Sequence, residues 1–396
     1  MHILMISDVY FPRINGVSTS IQIFRNELLA LGHRVTLIAP DYGASVIADD
    51  IIRIPSRKVL FDPEDRMMIA DKIRALLPYL KSQSVDLVHI QTPFVAHYLG
   101  VFLARQLGVP CVETYHTFFE EYLYHYVPFV PRTWMRALAR RFTRKQCNMV
   151  DRVVVPSTAM RAVLEDYGVN TPMQIIPTGM DLEKFSGCNG DVFREDHQIP
   201  PDRPTLVHIG RVAHEKNIGF LLQMLAVLKK HIPNILLIIA GEGPALRKLI
   251  KQTRNLKLKN NLLYTGYLDR NSSLLNCYCA GDVFVFASRT ETQGLVLLEA
   301  MALGVPVVST AVMGTIDILE PRKGALIAPE EPVAFANQVQ RLLENVFLRE
   351  KLSKEAVQYV KSWTARVMAE KMAALYENLL DMQVQDNNPD LQQNNN

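Results

Sequence analysis

The chain has little cysteine for its length, five residues in 396, at 111, 147, 188, 277 and 279. An odd count whose closest pair, Cys277 and Cys279, forms only a C-x-C suits neither a zinc site nor a disulfide scaffold. The expectation is therefore reduced thiols in a cytosolic protein. Strong charge of one sign is also lacking. With 43 basic and 40 acidic residues the net charge is +3, which argues against nucleic acid as a partner of the whole molecule and leaves only local basic patches. No apolar run approaches the roughly 20 residues that cross a bilayer. Met1 leads straight into an apolar strand with no charged leader or cleavage site, so a soluble chain is expected, one still able to lie on a membrane surface. A P-loop, an H-E-x-x-H and a G-x-S-x-G nucleophile elbow are all absent. The stretch Gly241–Leu246, GEGPAL, lacks the third glycine of a dinucleotide fingerprint, which weakens a nicotinamide-dehydrogenase reading. With no D-x-D triplet, a donor diphosphate anchored through a metal is not expected either, and no metal site is predicted.

What the chain does have is apolar material, 48% of residues, spread over a length that exceeds the roughly 250–300 residues of one core. Short apolar runs alternate with helical patterns from end to end. In the first half they fall at His2–Ser7, Val35–Pro40, Ile51–Pro55, Asp86–Gln91, Pro110–His116, Arg152–Ser157 and Gln174–Pro177. In the second half they fall at Thr205–Gly210, Ile235–Gly241, Leu262–Leu268, Val283–Ser288, Pro306–Thr310 and Ala325–Pro329. Near-continuous apolar runs such as VFVFAS mark parallel strands covered on both faces, and their alternation with helices predicts an α/β protein with two doubly wound sheets. The Gly-, Asp- and Pro-containing stretch after PTGMDLEKF reads as a linker. The expected organisation is a first domain over 1–180, a linker over 181–200 and a second domain over 201–365. A terminal helix follows over 366–383, striped by Met368, Met372, Leu375 and Leu379, and then a disordered Asn/Gln-rich tail over 384–396.

Ligands of open parallel sheets collect at the carboxyl ends of strands, so each end is a candidate site. After the first strand, Asn15-Gly16 opens a helical segment. Gly16 allows close approach by a phosphate, or the turn is simply capped by serine. The run GRVAHEKN puts Arg211 and Lys216 at a strand end, a pair of cations suited to a diphosphate or else a solvated surface pair. The run ETQGLVLLE spaces Glu291 and Glu299 eight apart. A helix starting near Gly294 would offer the free amides of Gly294, Leu295 and Val296 to an anion, with Glu299 able to reach a ribose diol and Glu291 sugar hydroxyls. The plain alternative is two ordinary helix-start and helix-surface acids. His116, at the end of another strand, could bond a sugar or move a proton, although a lone histidine is more often structural.

Taken in order, NGVSTS, GHRVTLIAP, DLVHIQTP, ETYHT, IPTGMD, GRVAHEKN, GEGP, TGYL and ETQGLVLLE give the chain a distinctive signature over Met1 to Met382. It resembles the retaining GT-B glycosyltransferases of family 4. The resemblance implies two Rossmann-like domains facing a central cleft, and transfer from a nucleotide sugar with no protein nucleophile and no required cofactor. Carried over by motif, Arg211, Lys216 and Gly16 would hold the donor diphosphate. Glu299 and the amides of Gly294, Leu295 and Val296 would hold the nucleotide and sugar. His116 and Glu291 would stand as catalytic-site residues beside the donor sugar. The segment HTFFEEYLYHYVPFVP is similar to the matching stretch of bacterial diacylglycerol glucosyltransferases, which implies UDP-glucose as donor, a lipid acceptor and glycolipid synthesis. A mannosyl- or N-acetylglucosaminyltransferase acting on phosphatidylinositol or a soluble sugar, or a GT-B-type epimerase, is the alternative. The next stretch, RTWMRALARRFTRKQ, places Trp134, Leu138 and Phe142 on one helix face and Arg132, Arg136, Arg140 and Arg144 roughly opposite, with Arg141 and Lys145 flanking. Such a helix suits adsorption to the anionic inner face of the cell membrane, or else core packing with an outward arginine stripe.

Overall fold

A computed structural model describes residues 1–13, 15–43, 50–59, 62–116, 132–270 and 272–387. The chain divides into two compact units, Met1–Gly179 together with the terminal segment from Ala365, and Met180–Thr364.

In the first unit, β1 (His2–Ile6), β2 (Arg34–Pro40) and β3 (Ile51–Ile54) are followed by a short antiparallel pair, β4 (Ser56–Val59) with β5 (Asp62–Met68). After them come β6 (Leu87–Ile90), β7 (Cys111–Thr114), β8 (Arg152–Val155) and β9 (Met173–Ile175). Seven of these strands form one sheet in the order β3-β2-β1-β6-β7-β8-β9, with every pairing parallel. The second unit repeats the plan with β10 (Thr205–Ile209), β11 (Leu236–Ala240), β12 (Leu262–Gly266), β13 (Val283–Phe286), β14 (Val307–Ser309) and β15 (Ala325–Ile327), in the order β12-β11-β10-β13-β14-β15. Every residue of β1, β10 and β11 is buried, as expected of strands covered on both faces. Alternate residues serve different cores: Leu206 and Leu237 point into one layer of the second unit, and Val207 and Ile238 into the other. In each sheet the strand order reverses beside the first strand, between β1 and β6 and between β10 and β13. Loops leaving the carboxyl ends there open a crevice.

Every sequence-expected strand is present, most of them shortened by one to three residues, while β2 and β9 begin a residue earlier than expected, and the β4–β5 hairpin is added. The terminal helix, Ala365–Asn387, continues through four residues assigned to the tail, and residues beyond it lie outside the described ones. It packs on the first unit, burying Met368, Met372, Leu375 and Tyr376.

Two expectations are corrected. The stretch 181–200 is not an extended linker, because it folds into the second unit around the helix Gly190–Asp196, capped by the Asn189 side chain. Phe193 is buried there, and the Arg194 guanidinium donates to the carbonyls of Ala280, Pro200 and Arg203 at 3.0–3.1 Å. Its polar composition reflects caps and turns. The cysteines are not all reduced either: Cys188 is disulfide-bonded to Cys279, 91 residues away, while Cys111, Cys147 and Cys277 are free and buried. The pairing follows from the packing of helix Gly190–Asp196 on helix Ser273–Cys279, a long-range contact that spacing does not reveal. No described helix is long and apolar enough to cross a membrane.

Candidate active site

In the second unit the loops after β10 and β13 meet at the reversal point. The loop after β10 ends in a turn, His214–Lys216, which aims Lys216 back across the strand ends. There its ammonium pairs with the Glu291 carboxylate from the loop after β13, and both side chains are about four-fifths buried. The Glu291 backbone is clasped from a third side, its carbonyl accepting the Gly314 N–H at 2.8 Å. Lys216 and Glu291 therefore meet beside the strand ends, and Arg211 stands exposed at the end of β10, with no side-chain partner among the described residues.

Gly294 takes a left-handed backbone (φ 97°), and a Cβ there would lie 2.9 Å from the Thr315 side chain, so glycine is required on both counts. It opens the helix Leu295–Ala302 with no side-chain cap, which leaves the first amides, Leu295 and Val296, for an anion. Glu299 lies within this helix and is not a free surface acid. Its carboxylate is buried, accepting from the Tyr278 hydroxyl at 2.7 Å and from Arg270 at 3.4 Å. Burial and the adjacent carboxylate push the Tyr278 phenol well above its ordinary range, so it remains a donor. Tyr278 and Arg270 carry no motif signal. Only the fold shows that they fix Glu299.

The GEGP loop is explained by packing. A Cβ on Gly241 would fall 2.0 Å from the Gly210 carbonyl, so that glycine lets the loops after β10 and β11 lie against each other. Beneath them His208 is fully buried, its Nδ1 3.1 Å from the Val285 carbonyl, and burial lowers its pKa to about 4.

In the first unit Asn15 caps the helix Gly16–Ala30, its side-chain oxygen accepting the Ser18 N–H at 2.8 Å. A Cβ on Gly16 would meet nothing within 4 Å, so packing does not demand this glycine. Asp8, just after β1, caps the helix Val95–Leu107 by accepting the Ala96 N–H and the Thr92 hydroxyl, and burial raises its carboxyl to about 7. His116 follows β7, with Nε2 3.0 Å from Gln91 Oε1, and burial lowers its pKa to about 4. The acceptor-like segment after it, with His125, lies outside the described residues.

The basic stretch forms the helix Arg132–Cys147. It packs through Met135, Ala139, Thr143 and Gln146. Trp134 and Leu138 are 75% and 64% exposed, so the face expected to gather Trp134, Leu138 and Phe142 splits. Spaced 4-3-4, Trp134, Leu138, Arg141 and Lys145 form one exposed stripe. Arg140 turns aside to Asp166 at 3.3 Å and over the Tyr167 ring, and the Arg144 stem lies on Gly168. Arg136 is exposed, and nothing is described of the Arg132 side chain.

Comparison with known proteins agrees with this geometry. Residues 14–184 match the description glycosyltransferase family 4, and residues 190–359 match glycosyl transferases group 1. Over 319 residues the chain is 35% identical to an alpha-monoglucosyldiacylglycerol synthase of Streptococcus pneumoniae, covering 78% of this chain and 71% of the relative. Over 403 residues it is 28% identical to the synthase of the same name from Acholeplasma laidlawii, covering 96% and 98%. Sucrose-phosphate synthase from Thermosynechococcus elongatus shares the fold, with a TM-score of 0.75 at 22% identity over 96% of this chain and 99% of that one. Two parallel Rossmann-like sheets and these matches define an enzyme of the GT-B class, a hexosyltransferase. The chain belongs to glycosyltransferase family 4.

Proposed function

We propose that the chain transfers a glucosyl group from UDP-glucose to the hydroxyl of diacylglycerol, giving an α-glycosyl lipid at the cytoplasmic surface of an anionic membrane. The observation that carries this reading is the likeness to the pneumococcal synthase. In the reaction a donor diphosphate competes with Glu291 for the Lys216 ammonium, and Arg211 adds a second, exposed cation. Glu291, released, accepts from hydroxyls of the donor sugar. The amides of Leu295 and Val296 add partial positive charge, and Glu299, fixed by Tyr278, accepts from the ribose diol. On the first unit, Gly16 and His116 are the substrate-contacting residues.

The bond from the sugar C1 to the diphosphate oxygen breaks as the bond from C1 to the acceptor oxygen forms on the same face. The acceptor proton passes to the departing phosphate. No protein nucleophile enters, and stabilisation of leaving-group charge by Arg211 and Lys216 supplies the main rate term. In this reading the two cations carry the diphosphate charge, and no metal and no cofactor besides the donor is required. The stripe Trp134, Leu138, Arg141 and Lys145 is the membrane contact, its aromatic and aliphatic tips entering the headgroup region and its cations meeting anionic lipid.

The test is product formation by the purified chain from UDP-glucose on anionic vesicles containing diacylglycerol, with and without chelator. An α-linked glucolipid formed only with vesicles, and unaffected by chelator, is expected. Transfer from GDP-mannose or UDP-N-acetylglucosamine in place of UDP-glucose would replace the donor assignment. Release of an epimer or free sugar without acceptor would replace the reaction.

A further inference from the structure

Two rungs of polar side chains join β6 to β7 at the carboxyl edge of the first sheet. In the lower rung His89 of β6 lies with Nε2 2.7 Å from Thr114 Oγ1 and Nδ1 2.6 Å from the Tyr376 hydroxyl. In the upper rung Gln91, directly after β6, meets His116 just beyond β7, with Nε2 of the ring 3.0 Å from the amide oxygen. Gln91 is 4% exposed and anchored in the sheet edge, its N–H donating to the Ile6 carbonyl at 2.9 Å. An amide oxygen can only accept, so the ring nitrogen facing it must carry the proton. In a neutral imidazole the other nitrogen is then an acceptor.

We infer that Gln91 is a positioning residue that holds His116 as the Nε2–H tautomer, leaving Nδ1 to accept a hydrogen bond from a substrate hydroxyl. This rests on the reading of His116 as a substrate contact and adds which atom makes that contact and what fixes it. His116 is then neither a general acid nor a cation near the sugar. The titratable groups packed around it agree. His89, from β6, is itself lowered to about 3 by burial, Tyr376 from the terminal helix lies beyond it, and among the described residues no carboxylate acts on His116.

The experiment uses the full chain with 15N-labelled histidine, His116 being assigned by its loss in His116→Ala. Two-bond proton–nitrogen spectra are expected to show the Nε2–H pattern for His116, unchanged from pH 8 to pH 5.5. Gln91→Glu keeps an acceptor at the same place but adds charge. Activity at pH 8 should stay within about threefold of the parent, as for one altered hydrogen bond. An acid limb absent from the parent should appear as the ring pKa rises by roughly one to three units. Gln91→Leu frees the ring and should lower kcat roughly three- to tenfold at every pH, with donor KM unchanged. An Nδ1–H pattern in the parent overturns the inference, as does a Gln91→Glu profile parallel to the parent's. Where a variant does not fold, the parent spectrum still decides. If His116→Ala keeps full activity, the substrate-contact reading falls and the inference with it. If His116→Ala is inactive but the parent shows Nδ1–H, the inference alone falls.

Discussion

At the carboxyl ends of β10 and β13 the second unit gathers full charges, Lys216 against Glu291 with Arg211 exposed beside them. At the ends of β6 and β7 the described residues of the first unit present neutral groups instead: Thr92, Gln91 and a His116 kept uncharged by burial, with Asp8 after β1 committed to capping a helix. The sheets share a plan, so the contrast lies in the loops alone. It matches the two kinds of partner that the proposed reaction needs. A diphosphate is held by formal charge, whereas hydroxyls are sorted by donors and acceptors placed one at a time.

The largest expected effect tests the charged side. Lys216→Ala should lower kcat/KM for the donor on the order of 10²–10³-fold, the scale for removing a group that faces developing charge. Because the pair is about four-fifths buried, losing the ammonium also leaves Glu291 unpaired and should cost on the order of 1–3 kcal/mol of unfolding free energy, so turnover is compared well below the unfolding transition. The double variant Lys216→Met with Glu291→Gln sharpens the point. If it regains activity, Lys216 merely balances Glu291, and the contrast between the units has no bearing on catalysis.

Much of this site can be read along the chain, and the reason is positional. Arg211, Lys216, Glu291 and Gly294 all sit in the loops that follow β10 and β13, and a strand end is visible wherever a buried parallel strand stops. What spacing cannot show is what each group touches. Glu299 reads equally well as a surface acid until Tyr278 and Arg270, from other elements, are seen to hold it. The Cys188–Cys279 bond and the buried Arg194 are hidden for the same reason, as is the hairpin β4–β5, whose strand DPEDRMM lacks an alternating apolar pattern. In the helix Arg132–Cys147, periodicity finds the right residues, but it cannot tell which polar stripe turns to solvent and which to Asp166 and Tyr167.

That helix offers the next test, since it puts charge on the first unit but away from its strand ends. Arg141→Gln with Lys145→Gln should weaken sedimentation with anionic vesicles roughly thirtyfold, at about 1 kcal/mol per near-surface cation. Turnover on acceptor dispersed in neutral detergent should be unchanged. Arg140→Ala should weaken vesicle binding less and lower the unfolding midpoint, because its guanidinium is engaged with Asp166 and the Tyr167 ring. Equal loss of vesicle binding from both changes would mean that the basic face acts as a diffuse field and that no particular stripe is the contact.

The smallest effect asks whether the second unit also uses neutral contacts where charge is not needed. Tyr278→Phe removes the hydroxyl that donates to Glu299 Oε2 at 2.7 Å and leaves the ring in its buried place. Glu299 keeps Arg270, whose side chain is half exposed and 3.4 Å away, too loose a partner to fix the carboxylate. If Glu299 holds the ribose, its grip is the same in the ground and transition states. Donor KM should then rise roughly three- to tenfold with kcat unchanged, the worth of one neutral hydrogen bond. A fall in kcat at constant KM would place Glu299 among the groups that respond to developing charge. The neutral and charged contacts would then not be divided between sugar and diphosphate, even within one unit.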